Sequence, residues 1–439
     1  MRLIQKEIQL PVIGGYFHLL ENLQNDKEIR ANNNIPIRLV VTEMNMQSFK
    51  CEVSVVQLEQ NDPSIPAWTL FDFKRRQTVN NTSFNVVFLV PTGIGSHIGG
   101  HAGDATPAAM LVSEICDKII LHPNVVNASD INEMPVNSLY VEGSTITRLL
   151  MGQIGIQPVR SNRLLVLIDE HHIPMFTNDT INAVSAARAT YGLDLSSIIK
   201  LDPQVEMKTF FSGSGSAVGE IDKLERIFSV VEKYTDSFDA LAVASVIETP
   251  HEYHEAYFKS ADEMTNPWGG VEAMLTHTLS MFLNLPTAHS PMLENLKIAN
   301  LDLGIVDPRL AAEATSLTFL QCMLKGLRKS PRIILDEELF NHGEILSAKD
   351  ISCIVIPDKC VGLPTLAALE QGISVIAVRE NENFMKNDLS LLPWKKGQLH
   401  IVDNYWEAVG VLSALKAGID PYSVRRPLST SKIQKNVVK

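Results

Sequence analysis

From residue 86 onward, short runs in which every position is apolar recur along the chain, separated by stretches whose apolar residues repeat at helical spacing. The runs predict strands at 86–90, 118–121, 138–141, 163–168, 197–201 and 240–246, with a helix over 179–191 closed by Gly192. Strands that are apolar throughout belong to a sheet buried on both faces, and strand–helix–strand connections of this length imply parallel pairing. Long helical patterns follow over 271–285 and 308–329. A second set of strands comes at 332–335, 352–356, 374–378 and 398–402, with a helix over 364–371 ended by Gly372. Before residue 85 the pattern differs. Strand-like segments at 35–42 and 50–56, the second of them alternating, stand among loop-like stretches at 60–66 and 77–83. The expected fold is α/β, with two lobes of mostly parallel sheets flanked by helices and a small N-terminal α+β extension. The expected division is an extension at 1–84, a main α/β domain at 85–330, a Rossmann-like unit at 331–425 and a disordered basic tail at 426–439.

Composition narrows the class of protein. The 439 residues carry 45% hydrophobic and 20% charged residues, as a soluble globular chain does, and are too many for one typical core. A net charge of −12 argues against general nucleic-acid binding, which needs a basic face. No apolar run approaches the roughly 20 residues that span a bilayer, and the N-terminus lacks the apolar stretch of a signal peptide. Five cysteines without a CxxC pair point to a reducing compartment, so a cytoplasmic protein without membrane association is expected. The long apolar helices bury either against a second copy, as a homo-oligomer, or between the lobes.

Candidate chemistry concentrates in Pro91-Thr-Gly-Ile-Gly-Ser-His-Ile-Gly-Gly-His-Ala-Gly-Asp-Ala-Thr-Pro107, between a buried strand and an alanine-rich helix. Its glycine spacing is neither that of a dinucleotide fingerprint nor that of a nucleotide P-loop. A loop of this kind either cradles a ligand with free backbone N–H groups or is a tight turn whose glycines serve packing. In the first reading Thr92, Gly93, Gly95, Gly99, Gly100 and Gly103 bind the ligand, and His101 and Asp104 exchange or orient protons. The next strand ends in His122-Pro-Asn-Val-Val-Asn127, which offers His122 as an acid–base group and Asn124 and Asn127 as ligand contacts; the third strand ends in Glu142, which, like Asp104, would orient the acid–base histidine. Ser212, Gly213 and Ser214 lie in a Ser/Gly loop that suits an anion if it opens the helix expected after it, and otherwise is a linker. Asn266, Gly269 and Gly270 open a long helix with Glu272 in its first turn, and His289 sits between prolines in what reads as a stiff loop. His251 and His254 read as solvent-exposed polar residues. A metal site would need distant ligands such as His97, His101, His122 and Glu170.

Two resemblances add to this. The segment from Ile354 through Gly362 and Glu370 to Ser374 resembles the nucleotide-side unit of two-domain glycosyltransferases and sugar-nucleotide epimerases, which implies Gly362 as a ligand contact; Ser374 stands where those families favour proline. The glycine loop, His122-Pro-Asn-Val-Val-Asn127, Tyr140-Val-Glu-Gly143 and Asn266-Pro-Trp-Gly-Gly-Val-Glu272 together resemble a bacterial and plastid domain family of unknown function, over roughly residues 85 to 425. That resemblance implies one coherent catalytic-type domain and supplies no reaction or cofactor. The expected function is therefore an enzyme using His/carboxylate acid–base chemistry on a small anionic metabolite held between the lobes. A metal-dependent hydrolase or lyase and a non-catalytic metabolite-binding or scaffold protein are the alternatives.

Overall fold

The computed structural model describes residues 1–11, 21–23, 25–30, 34–59, 72–260, 263–316, 318–428, 430–431 and 433. The loop expected at 60–66 and residues 429, 432 and 434–439 of the expected tail lie outside the described residues.

The chain opens with β1 (Arg2–Pro11), β2 (Asn34–Met44) and β3 (Ser48–Gln57), followed by β4 (Asn85–Phe88), α1 (Thr106–Ser113), β5 (Lys118–Leu121), β6 (Ser138–Tyr140) and α2 (Gly143–Leu150). The middle of the chain supplies β7 (Gly155–Gln157), β8 (Arg163–Asp169), α3 (Pro174–Tyr191), β9 (Asp194–Leu201), β10 (Glu206–Phe211) and β11 (Ala217–Asp222). It continues through β12 (Ala240–Val246), α4 (His251–Lys259), α5 (Gly269–Leu283) and β13 (Thr287–Met292). Last come β14 (Arg332–Ile334), β15 (Ile351–Pro357), β16 (Val361–Gly362), α6 (Leu363–Gln371), β17 (Ser374–Val378) and β18 (Leu399–Val402).

Two parallel sheets carry the fold. One has the order β18-β17-β15-β4-β5-β6, the other β13-β12-β8-β9. Their strands are apolar on both faces because helices cover both: Val86, Val87, Phe88, Ile119, Ile120 and Leu121 are all fully buried. Each such side chain contributes about 1.5–3 kcal/mol of transfer free energy. An antiparallel sheet, β10-β11-β1-β3-β2-β16, packs against α5. The fold is thus α/β, with parallel sheets flanked by helices and an antiparallel N-terminal part.

The strand pairing crosses the boundaries expected at 84/85 and 330/331. β4 pairs with β15, so segments on either side of residue 330 share one sheet, and the four-stranded sheet is an insertion within it. β1 pairs with β11 and β2 with β16, which ties the segment before residue 84 into the rest. Hydrophobic period reports which faces are buried but not which distant strand is the partner. Three local expectations change as well. The helix expected at 308–329 is broken into Ala311–Ala314 and Leu320–Leu327, and the strand at 332–334 pairs antiparallel with β7 rather than joining the C-terminal sheet. The Ser/Gly loop closes the β10–β11 hairpin instead of opening a helix, and the next helix starts only at Glu225.

α5 is apolar around most of its circumference because it lies between the antiparallel sheet, β13 and α2. Most of its apolar side chains are buried within the chain. Backbone approaches β11 so closely that a Cβ on Gly270 would sit 1.7 Å from the Ala217 carbonyl oxygen. Among the described residues no helix is long and apolar enough to cross a membrane.

Candidate functional site

In open parallel sheets ligands gather beyond the C-terminal strand ends, where loops diverge and helix N-termini converge. Here the segments that follow β4, β5, β6, β12 and β13 line one cavity of about 250 Å³ between the two sheets. The six-stranded sheet contributes Thr92, Ala102, His122, Asn124, Asn127 and Glu142; the other side contributes His254, Asn266, Trp268, Gly269, Glu272, His289, Glu294 and Glu313. Among the described residues the lining holds no lysine or arginine. A second cavity of about 80 Å³ shares Thr92, His122 and Ala273 with the first and adds Arg38, Gly143, His277 and Gly362.

Within this wall histidines and carboxylates come in pairs. Glu142 caps α2 by accepting from Ser144 N and Thr145 N, and its Oε1 lies 2.6 Å from His277 Nδ1. Burial pushes Glu142 up, but His277 and the bonds from Ser144 outweigh it and hold the carboxyl at about 2. His254 Nε2 lies 3.3 Å from Glu294 Oε1, which also accepts from Thr249 N. His289 stands between Ser245 Oγ, 2.7 Å from Nε2, and Glu272 Oε2, 3.5 Å from Nδ1. This serine–histidine–glutamate line is not a nucleophilic triad facing a ligand, because Ser245 is fully buried inside β12 and does not reach the cavity.

Glu313 is the side chain best placed to exchange a proton. Its Oε1 accepts from Ala102 N at 2.8 Å, from Tyr257 OH at 3.3 Å and from Asn266 Nδ2 at 3.4 Å. Burial nevertheless dominates and raises its pKa to about 7. His122 differs in sense: burial lowers its pKa to about 4, with Glu142 opposing, so the ring is neutral at neutral pH. Its Nδ1 accepts the Asn124 N–H at 3.3 Å as it caps the turn Pro123–Val126, which leaves the ring proton on Nε2. That N–H is a donor at the junction of the two cavities, since Nε2 lies 2.9 Å from where a Cβ on Gly143 would be.

The residues expected from sequence divide sharply. Thr92, His122, Asn124, Asn127, Glu142, Asn266 and Gly269 meet at the large cavity and Gly362 at the small one. His101 and Asp104 stand behind the wall: His101 Nδ1 is 2.8 Å from Tyr257 OH, and Asp104 Oδ1 accepts Gly99 N at 2.8 Å. Burial lifts Asp104 to about 7 against the backbone N–H groups of Gly99 and His101. The glycine loop reaches the large cavity only through Thr92 and Ala102 among its described residues, and several of its N–H groups are bonded within the chain. Its N–H groups at His97, Ile98, Gly99 and Ala102 are taken by the Glu382 carbonyl, Asn381, Asp104 and Glu313. Its glycines serve close packing: a Cβ on Gly93 would lie 2.8 Å from the Ala217 oxygen, on Gly95 2.6 Å from the Phe384 ring and on Gly99 2.9 Å from Val90. On Gly100 it would lie 1.9 Å from the Ser96 oxygen, and on Gly103 2.4 Å from Ala128 Cβ. Gly270 likewise packs against β11 rather than a ligand. Ser212 and Ser214 donate to Glu52 Oε1 at 2.7 and 2.6 Å and Gly213 N to Glu7, away from both cavities.

The distant metal set does not assemble. Glu170 pairs with Lys200 at the surface, and among the described residues no three His, Cys, Asp or Glu side chains gather as a metal-binding group. His289 lies on β13 rather than in a loop, and His254 is buried rather than solvent-exposed. Sequence reading missed Glu294, Glu313, Tyr257 and Arg38. Only Tyr257 left a signal, its spacing of three from His254 on one face of α4.

Residues 85–425 match the family described as a protein of unknown function (DUF3326). The chain is also 32% identical over 343 residues, covering 77% of it and 92% of the relative, to an uncharacterized lipoprotein of Synechococcus sp.. No solved structure matches. The relative's designation as a lipoprotein overturns the expected cytoplasmic location.

Proposed function

For this chain, which belongs to the DUF3326 family of unknown function, we propose an enzyme that performs acid–base chemistry on a small metabolite bound between the two parallel sheets. The observation that carries the reading is Glu313, a cavity-wall carboxyl whose pKa of about 7 lets it give or take a proton at neutral pH. Neutral His122 faces the same space as a hydrogen-bond donor and polarises an oxygen of the substrate, in the manner of a neutral imidazole electrophile. Glu272, Glu294 and their histidines suit hydroxyl or amine groups of the ligand, while Trp268, Phe258 and Met292 take its apolar part. Tyr257, His101 and Asn266 are positioning residues that hold Glu313.

The test is conversion of a metabolite extract by the purified full chain, followed by mass spectrometry. Glu313→Gln and His122→Ala, each checked for folding by circular dichroism, are expected to lower turnover by roughly 100-fold or more. Undiminished turnover in both folded variants overturns the reading. Retention of a metabolite without turnover by the unaltered chain replaces it with a binding protein.

A further inference from the structure

The smaller cavity has a chemistry opposite to that of the larger one. Among the described residues no carboxylate lines it, and its polar side chains are Arg38, Thr92, His122, Thr147, His277 and Thr365, the last in the first turn of α6. Arg38 is only 8% exposed, and its Nη1 has no hydrogen-bond partner. Glu52, the carboxylate whose charge acts on it from β3, spends Oε1 on Ser212 and Ser214 and makes no ion pair with Arg38. A buried guanidinium with an unfilled donor is costly unless something else supplies the acceptor.

α6 supplies the complementary feature. This nine-residue helix is capped by Gly362, which has no side chain to bond the first turn, and Gly362, Leu363, Pro364 and Thr365 line the cavity, so the positive dipole end of the helix lies at its wall. The pairing of Gly362 with Val40 docks the helix start on β2, the strand that carries Arg38 two residues away on the same face. A volume of about 80 Å³ holds several waters or one small oxyanion.

We propose that the smaller cavity is an oxyanion subsite, in which Arg38 and the α6 N-terminus take a phosphate or carboxylate group of the substrate. The proposal rests on the reading that the larger cavity is the reaction site. Because Thr92 and His122 belong to both cavities, one ligand sets its anion on Arg38 and its reacting part beside Glu313.

Calorimetric titration of the full chain with inorganic phosphate, and in a parallel arm with acetate, tests it. Saturable binding of one anion per chain is expected, and the stronger arm identifies the group. Arg38→Met is expected to weaken binding at least 10-fold and Arg38→Lys less. Gly362→Asp places a carboxylate where the anion would sit and caps the helix itself, so it is expected to fold as well as the parent chain and lose the anion. Failure of the parent chain to bind either anion overturns the proposal, as does binding undiminished in folded Arg38→Met and Gly362→Asp. Glu313→Gln is expected to keep anion affinity. If turnover survives Glu313→Gln while phosphate binding depends on Arg38, the catalytic assignment fails and the anion site stands.

Discussion

At the tip of β4, the loop from Pro91 to Pro107 turns its N–H groups back onto Asn381, Asp104 and Glu313, and its glycines press against neighbouring backbone. Beyond β15, a single glycine caps a helix whose first turn lines a cavity beside a buried arginine. Both segments lie between a buried strand and a helix, and both look like anion cradles in sequence. What separates them is donor bookkeeping: a glycine loop binds a ligand only where the protein has not already supplied the acceptors. The richer motif spends the N–H groups of His97, Ile98, Gly99 and Ala102 within the chain, while beside the poorer one Arg38 Nη1 is left without a partner.

Gly100→Ala tests the scaffold side hardest. Its Cβ would meet the Ser96 carbonyl oxygen at 1.9 Å, so backbone must move, and a loss of roughly 3 kcal/mol or complete failure to fold is expected in urea unfolding. Next, Tyr257→Phe removes the hydroxyl between His101 and Glu313 and is expected to cost about 1–3 kcal/mol, because it strands buried partners. Third comes the pH dependence. Glu313 has a folded pKa of about 7, above its ordinary value, so the folded chain holds a proton that the unfolded chain has released. Its contribution is full below about pH 4.5 and fades as pH rises through 7, by up to about 1.4 kcal/mol per pH unit. Asp104 acts in the same direction, whereas Glu142, held at about 2, contributes above pH 4.5 and loses that contribution as pH falls toward 2. Thermal melts across this range should show a shallower decline toward alkaline pH in Glu313→Gln. The smallest effect is expected at the open turn. Gly362→Ala keeps an extended φ of −148° and meets the Leu39 oxygen at 3.3 Å and Pro364 Cδ at 3.7 Å, so its stability should change by less than about 1 kcal/mol in thermal melts.

The apolar runs made the strands legible. Those at 118–121, 240–246 and 374–378 appear with their expected bounds, because burial on both faces leaves no polar position to blur them. What they could not reveal was partnership: that β4 joins β15, or that β7 joins β14, depends on contacts nearly two hundred residues or more apart. His122, Asn124 and Glu142 were legible because polar residues directly after a buried strand must emerge at its tip. Glu313 was not, since an isolated acid among alanines announces nothing, and its role arises from the burial imposed by Tyr257, Asn266 and the glycine loop. Arg38 was hidden by its neighbours, a charge inside the run Ile37-Arg-Leu-Val-Val41 that reads as an ordinary strand position.

The pairing of β4 with β15 sets a timetable for biosynthesis. When Val86, Val87 and Phe88 leave the ribosome, their partner strand lies more than two hundred and fifty codons downstream, and the intervening four-stranded sheet must emerge first. Until then one flank of β4 is an apolar edge without a mate, the kind of surface that invites mispairing and chaperone attention. The larger cavity is lined by the segment that follows β4, and so borders the sheet that this late pairing completes.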